Sequence, residues 1–155
     1  MKEIKFRGIA LEGNNKGKFV YGFYAEKEHE YDDDMWETTY GIYTNEGMMF
    51  EEIEKDSACQ FTGLLDKNEK EIWEGDLFIV TYSDLPNGFE YFSSTRRKKF
   101  IDVYAEVVFY NGKWTLKHKE PVDNDVVYGD LYKTLRDNPK EIQGNIFENS
   151  ELISK

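Results

Sequence analysis

Glu74 and Asp76 flank Gly75 at what the sequence marks as a corner. If that corner lined a cleft, the two carboxylates could divide acid and base work between them, as in a hydrolase. The plainer chemistry of an Asp beside a Gly is to accept amide hydrogens in a turn. The one thiol, Cys59, could form a nucleophile and base pair with His29 or His118. No sequence element sets either imidazole beside it, however, and a buried, inert cysteine is expected. Asp32-Asp33-Asp34 puts three carboxylates together, but consecutive residues of an extended chain point to opposite sides, and the spaced acids and distal Glu of a calcium loop are missing. There is no His-Glu-x-x-His, no Cys-x-x-Cys, no phosphate loop and no Gly-x-Ser-x-Gly elbow. The sequence therefore assigns no catalytic residue, no metal ligand and no cofactor.

Recognition chemistry is better supplied. Phe89, Tyr91, Phe92 and Phe100 surround Arg96-Arg97-Lys98-Lys99, a mixture of rings and cations that suits a single-stranded nucleic acid or a protein surface. Residues 82–102 sum to only +1 in a chain of net charge −11, so nucleic acid is disfavoured and a long hairpin or insertion with a solvated tip is expected. The candidate interaction surface is Tyr91, Phe92, Arg96 and Arg97, with Glu74 and Asp76 at the corner. A protein-binding module is the leading reading, with the carboxylate hydrolase and the single-strand binder as alternatives.

Charge is distributed unevenly. Residues 26–56 carry −10 of the total, whereas residues 1–25 carry +3. A field of the first sign repels nucleic acid and anionic membranes and attracts basic partners, although solvated acids also serve solubility. With one cysteine, no signal-like start and no apolar run near the roughly 18 residues that a membrane span needs, the expectation is a soluble protein of the cytoplasm.

The elements that must position these groups read as strands. Residues 2–11 alternate polar and apolar, and in 18–24 Phe19, Tyr21 and Phe23 face one way with Gly22 marking a bulge or a close backbone approach. An acidic loop is expected over 26–37, then a short β-like run through Tyr43. Gln60 to Leu77 reads as strand, polar turn, strand and a corner into Leu77–Tyr82, which is apolar on both faces as a doubly covered strand would be. Asn111-Gly112 is the strongest turn signal. It pairs Tyr110 with Lys113 and sets Phe109 opposite Trp114 and Val107 opposite Leu116 on a buried face, with Val108–Thr115 and Glu106–Lys117 on a wet one. His118 on the Trp114 side is expected as a packed, hydrogen-bonded residue. Tyr128 to Leu135 spaces its apolar residues for a short helix with Asp130 near its start, 141–147 reads as a closing strand, and Asn149 could cap a last helical turn.

Gln60 to Leu77, taken with Phe19-Val20-Tyr21-Gly22 and with Gly144-Asn145-Ile146-Phe147-Glu148-Asn149-Ser150-Glu151-Leu152, resembles the YopX family of phage and prophage proteins. Where the family pattern has Asn-Gly in the central turn, this chain has Asn68-Glu69, and Glu is strained at positive φ where Gly is not. The resemblance implies a mainly β fold with one or two short helices, an N-terminal β region over 1–58 packed on a C-terminal SH3-like small barrel over 59–155, and an insertion at about 83–102. It implies a phage or prophage protein of the host bacterial cytoplasm and brings no activity. Partly exposed strand edges in such a small β protein point to a protein partner, with a homo-oligomer as one form of it.

Overall fold

The computed structural model describes residues 4–32, 35–44, 49–83, 100–121 and 123–153. It is mainly β, with two antiparallel sheets and one short α-helix. The chain divides into two compact units, residues 1–64 with 71–74 and residues 65–70 with 75–155.

The first sheet has the strand order β4-β3-β2-β1-β5-β6. Its members are β1 (Phe6–Ile9), β2 (Phe19–Asp32), β3 (Met35–Thr44), β4 (Phe50–Glu52), β5 (Cys59–Leu65) and β6 (Glu71–Trp73). Phe6, Val20, Tyr24, Tyr40 and Ile42 project to one side, where with Ala10, Ile53 and Ala58 they make the core of this unit. Gly22 is a close approach, as its spacing suggested: an added Cβ would lie 1.9 Å from the Tyr43 carbonyl oxygen. Within the expected loop over 26–37, residues 26–32 and 35–37 are instead paired ribbon, with a register shift between Glu30 and Asp32. Glu26, Lys27, Glu28, His29 and Glu30 pair with Tyr40, Thr39, Thr38, Glu37 and Trp36, because β-branched and aromatic residues face the acids across the ladder. Asp33 and Asp34 lie outside the described residues.

The second sheet, of order β10-β9-β8-β7-β11, contains β7 (Asp76–Ser83), β8 (Phe100–Tyr110), β9 (Lys113–Lys119), β10 (Val126–Asp130) and β11 (Gly144–Asn145). It is an open sheet with β10 and β11 at opposite edges, and no closed barrel is found among the described residues. The β8–β9 register is the one that Asn111-Gly112 dictates, from Tyr110↔Lys113 to Glu106↔Lys117. Both turn residues take positive φ, 51° at Asn111 and 78° at Gly112, as a two-residue hairpin turn of this hand demands.

Burial along that hairpin departs from the alternation. Val107 and Leu116 are buried as expected, but Phe109 is 57% exposed and Trp114 half-buried, because they stand near the turn end of the ladder. Thr115 is buried although it lies on the side read as wet. Adjacent residues of a strand point to opposite faces, so buried Thr115 and Leu116 show that both faces of β9 are covered there. The helix α1 (Leu131–Asp137) packs against β9 and β10. It starts later than its spacing suggested: Tyr128 belongs to β10, and Asp130 is the N-cap, accepting from the Lys133 amide at 2.9 Å. The expected strand over 141–147 shortens to Gly144–Asn145, since Asn145 bends the chain back at once. Asn149 precedes a 3₁₀ turn at Ser150–Leu152 but points its side chain at the Asn145 amide instead of capping that turn.

Candidate functional site

Of the residues singled out in the sequence, Tyr91, Phe92, Arg96 and Arg97 lie outside the described residues. Glu74 and Asp76 are assigned to different units across Gly75. The Glu74 amide donates to the Gln60 carbonyl at 3.0 Å and its own carbonyl accepts from Arg7 Nη2 at 3.4 Å. Asp76 is buried as the first residue of β7, opposite Asn145. Gly75 holds φ +78°, and its amide donates to the Val107 carbonyl at 2.8 Å while its carbonyl accepts from the Ile146 amide at 3.0 Å. Neither carboxylate lines either of the two cavities described below.

Histidine and thiol chemistry stay apart. The His118 ring is buried, with Nδ1 3.3 Å from the Leu116 carbonyl oxygen and Nε2 hydrogen-bonded to the Tyr82 hydroxyl. A carbonyl can only accept, so Nδ1 is the donor to Leu116. Burial, with the charge of Glu120 behind it, raises the Tyr82 phenol above its ordinary range. His118 borders a cavity of about 370 Å³ lined by Val103, Tyr104, Lys117, Val126, Leu152 and Ile153 among others. His29 lies exposed on the ribbon opposite Glu37, and Cys59 is buried opposite Arg7. No group of three or more His, Cys, Asp or Glu that could hold a metal ion occurs among the described residues.

Asp66 and Asn145 build turns. Asp66 is buried; its Oδ1 accepts from the amides of Asn68 (2.8 Å) and Lys70 (2.9 Å), and its Oδ2 from the Ile142 amide (3.1 Å). Burial works against the carboxylate, but the amides of Lys70, Ile142 and Asn68 outweigh it and hold its pKa below the usual range. This turn also places Glu69 at φ +64°, a conformation that Glu in place of Gly argued against and that the chain adopts all the same. Asn145 does the equivalent near the chain's end, its Oδ1 accepting from the amides of Phe147 and Glu148, both at 3.0 Å.

The other side of the first sheet, away from its core, is aromatic. The register puts Phe19, Tyr21 and Phe23 of β2 on the same side as Arg7, which is opposite Tyr21, and Tyr43, which is opposite Phe23. Trp73 meets Tyr21 edge-on at 5.5 Å and Phe61 at 5.4 Å, and Tyr43 meets Phe50 at 5.2 Å between ring centres. Cations lie over these rings: Arg7 at 4.5 Å from the Phe19 centroid, Lys5 at 4.7 Å from that of Phe61, Lys27 at 3.5 Å from that of Phe50. Lys5 is also paired with Glu71. Trp73 is buried, whereas Tyr21 and Phe23 are 47% and 56% exposed. Beside them Asn15, Phe19, Val20, Tyr21, Thr44, Met49 and Glu51 enclose a cavity of about 400 Å³. The alternation of Phe19, Tyr21 and Phe23 signalled one edge of this surface. What the sequence does not show is that β1, β5 and β6 bring Arg7, Phe61 and Trp73 alongside it, since those pairings join distant segments.

The class that these features define is a two-sheet, mainly β protein with polar residues that shape turns and an aromatic side to its first sheet. The model for "YopX protein" matches residues 5–154, and the chain belongs to the YopX family. The stretches that carried the resemblance contain Asp66, Asn145 and Tyr21, so two of them are turn scaffolds and the third is part of the aromatic side. Among solved structures, protein EF1440 from Enterococcus faecalis is similar, at 20% identity over 99% of this chain and 99% of that chain, with a TM-score of 0.43. No curated protein matches. Among the described residues no helix is long and apolar enough to cross a membrane.

Proposed function

We propose that the protein is a non-catalytic interaction module that binds protein through the aromatic side of its first sheet, and that its first partner is a second copy of itself. In this reading it is a phage or prophage protein working in the cytoplasm of its bacterial host. The observation that supports it is the row Phe19, Tyr21 and Phe23 with Trp73 and Arg7, two of whose rings stand about half in solvent. Protein interfaces concentrate Tyr, Trp, Phe and Arg at their centres, and rings with few rotatable bonds bind at low entropic cost.

Light scattering over a concentration series tests the reading. The wild type should exceed monomer mass at micromolar concentration and above, and Tyr21→Ala with Phe23→Ala should return it to monomer. A wild type that remains monomeric at the highest concentration, or a double variant that associates as before, would overturn it.

A further inference from the structure

We infer that the group that covers the aromatic side of one copy is the far end of the β2–β3 ribbon of another, with Trp36 seated in the cavity beside Phe19 and Tyr21. This rests on the self-binding reading above and adds which surface meets which.

The ribbon leaves its sheet. β1 pairs with β2 only over Phe19–Gly22, and β4 with β3 only over Gly41–Tyr43. Beyond those points β2 and β3 pair with each other alone among the described residues, through to Glu30↔Trp36 and Asp32↔Met35. A two-stranded ribbon by itself is marginal in water. This one also exposes its largest apolar residues, Met35 at 60% and Trp36 at 67%. The register places Trp36 on the same ribbon face as Glu26, Glu28 and Glu30, so the indole sits within an acidic strip.

The receiving surface is complementary in both respects. Lys27 lies over the Phe50 ring, and the exposed Lys16 and Lys18 neighbour the cavity residues Asn15 and Phe19 in the chain, so these three cations border the receiving side, whereas Arg7 is buried and Lys5 is paired with Glu71. The open cavity of about 400 Å³ at its edge is lined by Phe19, Tyr21 and Met49, rings and a thioether that suit an indole, and by Glu51, which accepts from Asn15 at 2.7 Å and has a second carboxylate oxygen that could accept the indole N–H. Trp36 cannot fill the cavity of its own chain. It is eight residues from Thr44, which lines that cavity, on the continuous strand Met35–Thr44. At about 3.3 Å per residue the two lie roughly 26 Å apart. Only a second copy can bring ribbon and cavity together. Because each copy owns both halves, two can exchange ribbons about a two-fold axis and leave neither half open.

Complementation tests this. Trp36→Ala removes the donor half and Tyr21→Ala with Phe23→Ala removes the receiving half, all at exposed positions, so the fold should survive in both variants by near-ultraviolet circular dichroism. Each alone should associate at least about thirtyfold more weakly than the wild type, as expected for loss of an aromatic anchor. Mixed, they should form a mixed pair by native mass spectrometry, because one intact donor still meets one intact receiver. Rising salt should weaken the wild-type assembly. If Trp36→Ala associates like the wild type while the double variant does not, the aromatic sides pack on one another; the ribbon inference fails and the module reading stands. If both variants are monomeric and the mixture yields no mixed pair, the two surfaces do not meet. If the wild type is a monomer, both readings fall.

Discussion

The β2–β3 ribbon and the β8–β9 hairpin are both long antiparallel pairs, yet one stands out from its sheet and the other lies within its own. In β8–β9, Ala105, Val107, Thr115 and Leu116 are buried, and His118 is held by Tyr82. In the outer part of β2–β3, Glu28, His29, Glu30, Met35, Trp36, Glu37 and Thr38 are all exposed. Backbone pairing runs along both, with one register shift between Glu30 and Asp32 in β2; what differs more is the chemistry on their faces. Apolar residues alternate through the first and attract cover, whereas glutamates at every second position of β2 keep the second in water. Where an exposed pair nevertheless carries Trp and Met, burial within its own unit is not the reason for them.

The largest test of this contrast is in the covered region. Phe78 lies fully buried in β7, and Phe78→Ala should cost about 3–5 kcal/mol and lower the melting temperature by more than 5 °C in a thermal scan. The same truncation at Trp36 should shift it by no more than about 1 °C when measured on the monomer, since exposed positions contribute within about 0.5 kcal/mol. Comparable shifts at the two positions would erase the distinction.

Asp66 comes next. Asp66→Ala leaves the amides of Asn68, Lys70 and Ile142 without their acceptor and should cost on the order of 3 kcal/mol by urea unfolding. Its folded pKa lies below the unfolded value of about 3.9, so the stabilisation is present above that pH and is lost as the pH falls through the lower folded value. Wild-type stability measured from pH 5 down to pH 2 should therefore fall more steeply than that of Asp66→Asn. Parallel curves would remove the carboxylate from this role.

The smallest expected effect has the opposite sign. Glu69 occupies φ +64° in the same turn, and Glu69→Gly should raise stability by about 0.5–1 kcal/mol, read as a higher urea midpoint at unchanged slope. A lower midpoint would mean that the Glu side chain contributes more than its backbone conformation costs.

How far the molecule could be read without coordinates follows from the range of the interactions. The register at 106–117 is complete in the sequence because Asn111-Gly112 sets it locally, whereas Glu69 misled, since a Glu speaks against the positive φ that the surrounding turn imposes on it. The ribbon over 26–32 and 35–40 was hidden by its charge: acids in succession look like a loop, and the Thr and aromatic residues that pair with them come later in the chain. Phe109 misled because alternation gives the side of a sheet and not the depth at which that side is covered. The aromatic side was half legible, through Phe19, Tyr21 and Phe23. Its other half arrives from β1, β5 and β6, whose neighbours only the assembled sheet determines.

The two units share the chain unevenly. It passes between them three times, after Leu64, Lys70 and Glu74, so neither is one uninterrupted length of polypeptide. Dissecting the protein by truncation will therefore give fragments that each lack a native piece, and a ribosome must emit residue 75 onward before residues 65–70 can find their companions. Point substitutions in the whole chain, not shortened versions of it, are the proper tools for asking what each half does.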